Sequence, residues 1–511
     1  MTELRTPPSN AWQRAGRVAG GFAALAITAT VVLALVVGNF AEDGDSAWTV
    51  FLFVVALALP LWCCFRRSGV AGSARLDLFQ PGAVVAAIFY FYTVVPAFHV
   101  WHDLNYQSAW LDPTWPARPL FRFAFFLSLL GLVAFGLGYR FGTRGLRQTV
   151  NASTLEEMRA GWPRSATAAA IVMLTIGFPF RMYHLAAFGG LTRNIFLFLS
   201  PVYQVESGIE IGGVPTLLES FFDWGALLLL LRATITNRHR VVSLCVLSVA
   251  LVLAYLVSGK RSAVVPFLLY PVVWLHYLKQ RISLKRGLAY VTAGSLLVTA
   301  LLFMRTIGPL FATTGVRLTD VPADVALAPV QFYINSPELA VFDMTMLTVQ
   351  DRASLLHEIG GAFWGGLRYN FLPVVYIVPR VLWPGKPIYS NIGTVFYQHA
   401  VGGREDVGFA VGIVAGLYLF GGLLGVLVGM MTVGVLFRVI YERLEPWNRD
   451  PRRVFVYGIV IWMMFHFLRF GDLGGTIVYF YQFVLPGAIV ALLVLRARRR
   501  VGTTATAPEP R

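Results

Sequence analysis

Charge is scarce in this chain. Asp, Glu, Lys and Arg make up 13% of its residues, where a soluble domain carries about 25%. That shortage excludes an ordinary water-soluble fold. Acids are the scarcer sign, 26 against 42 Lys and Arg, for a net charge of +16. Such an excess could mark a nucleic-acid binder. Most Arg and Lys, however, sit in short connections between apolar runs, as the positive-inside rule requires, and nucleic acid is set aside as a partner. Cysteine is nearly absent too. Cys63, Cys64 and Cys245 all fall inside apolar runs, so neither a disulfide framework nor a Cys-based metal site is expected. There is no HExxH and no acid-rich ligand spacing, so no metal and no other cofactor is expected. No internal repeat recurs at a fixed period. The first apolar run, behind Arg5, Arg14 and Arg17, is longer than a signal-peptide core and lacks a small-residue cleavage site. It reads as an uncleaved first span.

Long apolar runs are what the chain has in abundance. It is 57% hydrophobic, with a mean hydropathy of +0.66. Runs near the membrane length of about 18 residues occur at 18–39, 47–65, 81–100, 120–139, 166–187, 215–232, 241–258, 262–278, 287–304, 409–438, 454–468 and 475–496. The expected fold is an all-α polytopic membrane protein of about twelve spans. Its connections alternate. One side receives clusters such as Arg66/Arg67/Arg75, Arg140/Arg144/Arg147 and Arg438/Arg443/Arg449, and is read as the cytoplasm, with both termini on it. The other side receives residues 41–46, 101–116, 188–214 and one long stretch, 305–408. The chain therefore divides into spans one to nine (1–304), a large outer loop (305–408), spans ten to twelve (409–500) and a disordered cytoplasmic tail (501–511).

The outer stretch is too rich in aromatic residues for disorder to be the better reading. Ser336-Pro337-Glu338 predicts a helix start, with the helix running over 337–350. A second, amphipathic piece over 355–378 carries Phe363, Trp364, Leu367, Tyr369 and Phe371, and is expected on the outer membrane face. The run 409–440 is too long for one upright span. Either it tilts, or a re-entrant half-helix precedes the span.

Several cations break the positive-inside rule. They are Arg181, Lys260 with Arg261, Arg305, Arg380 with Lys386, and Arg469. Each alone is accounted for by snorkelling or by an ion pair. Together they point to an anionic ligand at the outer face. Ser258-Gly259-Lys260-Arg261-Ser262 is the sharpest case, because two cations open a span at a helix N-terminus. It is no Walker A loop, since Ala254 stands where that motif needs Gly. Acids are the other exception. Glu219 and Asp223 share a helix face at i, i+4, Glu338 and Asp343 fall on the loop helix, and His399, Glu405 and Asp406 precede the Gly-rich span. His399, Glu405, Asp223 and Asp343 are unranked candidates for a general base, each also open to the plainer reading of an ion pair or a solvated charge. His276 and His466 read as packed histidines.

Four motifs carry a resemblance: SGKRS opening a mid-chain span, PRVLWPGKP closing the outer loop, GFAVGIVAGLYLFGGLLGV after it, and Arg469-Phe470-Gly471-Asp472 before the last span. In these the chain resembles the Wzy-type O-antigen or oligosaccharide repeat-unit polymerases over its second two-thirds. The resemblance implies an inverting membrane glycosyltransferase of the GT-C class in the bacterial cytoplasmic membrane. It would act on polyprenyl-pyrophosphate-linked oligosaccharide and use no metal or nucleotide sugar. It implies pyrophosphate-binding roles for Arg261, Arg380 and Arg469, and admits a chain-length regulator as a partner. Related O-antigen ligases use an outer-loop histidine, for which His399 is the nearest candidate. A ligase, a lipid-linked sugar transporter or flippase, and a membrane scaffold are the competing readings. The transporter would need charge through a central cavity and detectable repeats, which the sequence lacks.

Overall fold

The computed structural model describes residues 52–59, 77–102, 117–141, 162–187, 213–258, 264–290, 340–371, 392–402 and 408–496, with a few shorter pieces besides. The expected span at 18–39 lies outside the described residues, and those at 47–65 and 287–304 are described only in part. The described residues form helices and turns with no strand. Six of their helices are long and apolar enough to cross a membrane, so the protein is an all-helical, membrane-embedded chain. The physical reason is that a helix satisfies its own backbone polar groups where no water can.

The helices follow the apolar runs. Helix α1 (Pro81–Phe89) passes through a π-helical turn (Tyr90–Val94) into Val95–His102. Helices α2 (Ala117–Phe141), α3 (Arg164–Ala187), α4 (Gly213–Thr236), α5 (Arg240–Ser258) and α6 (Val265–Trp274) come next. The long stretch contributes α7 (Val341–Glu358), α8 (Ala362–Phe371) and α9 (Ile392–Val401). Then come α10 (Ile413–Leu444), α11 (Pro451–Phe470) and α12 (Leu473–Tyr479), the last continuing through the π turn Phe480–Val484 into Leu485–Arg496. Two of the π turns sit just before Pro96 and Pro486. A proline ring clashes with the carbonyl four residues back, and widening the turn there keeps the helix continuous.

The chain forms two compact units. The first is Met1–Gln148, Ile334–Arg443 and Met463–Thr476, and the second is Thr149–Tyr333, Leu444–Trp462 and Ile477–Arg511. In the first, α7 is not the surface element that a loop helix would be. Every residue from Val341 to Thr348 is buried. Phe342 packs edgewise on Phe121 and Phe125 of α2, at ring distances of 5.5 and 6.0 Å. Met344, Leu347 and Leu355 of α7 share one core with Tyr369 of α8, Phe396 of α9 and Leu419 of α10. The helices of the long stretch are therefore part of this unit's packing. The amphipathic helix expected over 355–378 is divided by Gly360 and Gly361, both at positive φ (84° and 92°), which end α7 and let α8 leave in a new direction.

The choice left open for 409–440 is decided by Gly422. It lies within α10 at φ 59°, ψ −151°, a conformation that only glycine adopts readily. The helix breaks there and folds back on itself. A Cβ on Gly429 would lie 2.5 Å from Leu417 Cδ2, and one on Gly425 would lie 2.5 Å from the Leu417 carbonyl. In a straight helix Leu417 and Gly429 would be about 18 Å apart. Residues 413–421 thus form a half-helix folded back on the longer helix 423–444, the shape expected of a re-entrant half-helix and its span.

In the second unit α3 and α4 are the most closely packed pair, with α5, α6 and the final helix around α4. Gly177 of α3 lies directly against the Phe222 backbone of α4, where any side chain would collide. Small residues that let backbones meet are the usual adhesive between helices in lipid. Trp224 continues the contact, packing on Tyr270 and Phe455 at 5.7 and 5.6 Å.

Candidate functional site

In the first unit several polar groups gather at breaks in the chain. The half-helix begins beside the turn Arg469-Phe470-Gly471-Asp472, where the Gly412 N–H donates to the Arg469 carbonyl at 2.8 Å. Arg469 is buried at the end of α11, its guanidinium 6.0 Å from the Tyr92 ring and 5.3 Å from that of Phe470. Asp472 is 1% exposed. Its Oδ1 accepts the Gly475 N–H (2.7 Å) and its Oδ2 accepts the Ile392 N–H (3.2 Å). One carboxylate therefore caps the start of α12 and the start of α9 together. Asn370 of α8 adds a third tie, its Oδ1 accepting the Leu473 N–H at 2.9 Å. Beside the turn, an apolar cleft runs between α1, α2 and the half-helix, lined by Val85, Tyr92, Leu132, Ile413 and Met430.

The other end of the half-helix is held from α7. Arg352 Nε donates to the carbonyls of Tyr418 and Leu419 at 3.0 and 3.1 Å. Those are among the last carbonyls of the half-helix, which have no partner within it, and a cation suits that negative dipole end. The neighbouring Asp351 sits at a kink in α7 (φ −103°, ψ 25°). From there its carboxylate reaches His399 of α9. His399 lies between two acids, with Nδ1 2.6 Å from Glu358 Oε1 and Nε2 3.3 Å from Asp351 Oδ2. Burial favours the neutral ring, but hydrogen bonds to Glu358 and Asp351 outweigh it and hold the imidazole's pKa above its ordinary value. The protonated ring donates to both carboxylates, whereas a neutral ring must turn one bare nitrogen toward an acid. Glu358 is the closer of the two partners, at Nδ1, and Asp351 the looser one, at Nε2.

His399 and the turn are linked through α9. Ile392, bonded to Asp472, opens that helix, and His399 follows seven residues later, roughly 10 Å along it. Asp343 lies in the buried first turn of α7.

In the second unit the rule-breaking residues find one another. Arg181 Nη1 pairs with Glu219 (2.9 Å) and Nη2 with Asp223 (2.6 Å), and His184 Nδ1 meets the other Glu219 oxygen. Arg181 is 3% exposed. The Gly177–Phe222 approach sets this up, since Arg181 is one turn beyond Gly177 and the two acids flank Phe222. Arg181 and Asp223, read from sequence as a phosphate ligand and a candidate base, are thus committed to each other. Lys260, Arg261, Arg305, Arg380, Lys386 and Glu405 lie outside the described residues.

Sequence reasoning did not single out Asp351, Arg352, Glu358, Asn370 or His184. The signal for two of them was present: Asp351 and Glu358 are seven residues apart and share a helix face. Ending the loop helix at 350 hid it. The chain matches no family profile, no curated protein and no solved structure.

Proposed function

We propose that this protein polymerises polyprenyl-pyrophosphate-linked oligosaccharide repeat units at the outer face of the cytoplasmic membrane. The acceptor hydroxyl attacks C1 of the donor sugar, the bond from C1 to the phosphate oxygen breaks, and lipid pyrophosphate leaves. The observation that carries this reading is the setting of the Arg469–Asp472 turn. A buried arginine and the start of a re-entrant half-helix meet there beside an apolar cleft. A guanidinium and a helix N-terminus are both suited to an anionic group. The motif resemblance points to the same chemistry.

Arg469 is assigned to the leaving pyrophosphate; Lys260, Arg261, Arg305, Arg380 and Lys386 are kept as candidates for the same anion on the sequence alone. The cluster of His399 with Asp351 and Glu358 is assigned to take the acceptor proton, a carboxylate accepting it while the imidazole holds the two acids together. Arg181 and Asp223 take the structural role that their mutual pairing suits.

The test is deletion of the gene followed by size-resolved display of surface glycan. Single repeat units on the final acceptor support the polymerase. Loss of all glycan from that acceptor, with long lipid-linked chains accumulating, would instead make the protein a ligase. Arg469→Ala is expected to behave as the deletion while the protein still inserts, and an unchanged chain-length distribution would remove Arg469 from the site.

A further inference from the structure

Helix α8 has two unlike faces. Gly365 and Tyr369 are buried, whereas Phe363, Trp364 and Phe371 are 69%, 71% and 58% exposed, with Leu367 between them on the same side. This spacing puts a continuous apolar surface on one flank of the helix. Arg368 borders that flank on one side and is exposed. Asn370 borders it on the other, half-buried, and bonds the Leu473 N–H. Leu473 begins α12, just past the turn that ends α11 (Pro451–Phe470), a helix long and apolar enough to cross a membrane. A hydrogen bond of 2.9 Å to that point fixes the depth of α8 at the end of a span, the level of the headgroups. An aromatic face at that level, edged by an arginine, matches a lipid surface with anionic headgroups better than it matches water.

We propose that α8 is a lipid-anchored strut. Phe363, Trp364, Leu367 and Phe371 dock into the bilayer's interfacial zone, and Asn370 passes that anchoring to the turn carrying Arg469 and Asp472. The docking stands whether or not the chain is a glycosyltransferase. The significance of the strut for catalysis rests on the proposed function, and the experiment therefore reads position and exchange, not activity.

The full chain, with Cys63, Cys64 and Cys245 replaced by serine, is labelled with a nitroxide at Phe363→Cys, Trp364→Cys or Phe371→Cys. It is reconstituted in phosphatidylethanolamine–phosphatidylglycerol vesicles, with Ser354→Cys, an exposed position toward the end of α7, as the reference. The α8 labels are expected to collide several-fold more often with oxygen, and several-fold less often with an aqueous nickel chelate, than the reference. Nickel access equal to the reference would overturn the docking, as would shielding from both reagents, which would mean a protein partner or a second copy. In Asn370→Ala, amide exchange at Leu473 is expected to quicken at least tenfold while the α8 labels keep their lipid exposure. Unchanged exchange would remove the strut and leave only the anchor.

Discussion

Arg181 and Arg352 are both cations on helices, but their partners differ in kind. Arg181 faces two carboxylates across a pair of backbone-close helices, and its charge is cancelled where it sits. Arg352 faces two carbonyls at the end of a half-helix, beside a kink that sends Asp351 to His399. Charges in the second unit are thus balanced between regular elements. In the first unit the groups around Arg469, Arg352 and His399 answer to chain breaks, the reversal at Gly422, the kink at Asp351 and the turn at Gly471, while Arg438 and Glu442 pair within regular α10. Balanced charge between intact helices holds a scaffold. Polar groups at broken helices leave dipole ends and titratable atoms within reach of a ligand. That contrast is why the chemistry is assigned to the first unit.

The strongest way to break the comparison is Arg181→Ala. It leaves Glu219 and Asp223 buried without their cation and is expected to cost about 3–5 kcal/mol, read as a lowered unfolding temperature in detergent. Replacing the three charges together, by Arg181→Met, Glu219→Gln and Asp223→Asn, should recover most of that loss while leaving the proposed polymerisation intact. Lost polymerisation in a stable triple variant would mean that the quartet is functional. Asp472→Ala should cost about 2–3 kcal/mol, because two backbone N–H groups lose their acceptor. Its amide exchange should rise at Gly475 and Ile392 together, and a rise at one alone would show that the two caps are not joined. Arg352→Ala is expected to cost about 1–2 kcal/mol and to quicken exchange across residues 413–421, with the span after Gly422 unaffected. Uniform exchange through both segments would mean that the half-helix does not open by itself.

The smallest effect concerns pH. His399 has a raised pKa in the folded chain. Its stabilising contribution is therefore complete below the unfolded value of about 6.5 and is lost as pH rises through the folded value. An exposed cluster of this type contributes on the order of 0.5 kcal/mol. Unfolding temperature should fall slightly across that window in the natural chain and stay level in His399→Gln.

The helices were largely legible because apolar length is a one-dimensional signal: the runs at 81–100, 120–139 and 166–187 became α1, α2 and α3 with shifts of a few residues. Glu219 and Asp223 were legible as sharing a face for the same local reason. Their pairing with Arg181, 38 and 42 residues away in sequence, was not, because it depends on which helix Gly177 lets approach. His399 stood out as a histidine beside a Gly-rich span, but its two acids belong to another helix, whose end was placed too early.

The amino-acid sequence by itself determined that this chain lives in a membrane as helices, since hydrocarbon solvent admits little else and the period of apolar residues declares it. It also narrowed 409–440 to two conformations by supplying glycines. Only the tertiary structure decided between them, through the packing of Leu417 on Gly425 and Gly429. The same holds for Asp472, Asn370 and Arg352, whose partners are backbone groups. Every residue carries such groups, so no pattern of side chains along the chain announces which of them a fold will leave unpaired and offer to a distant residue.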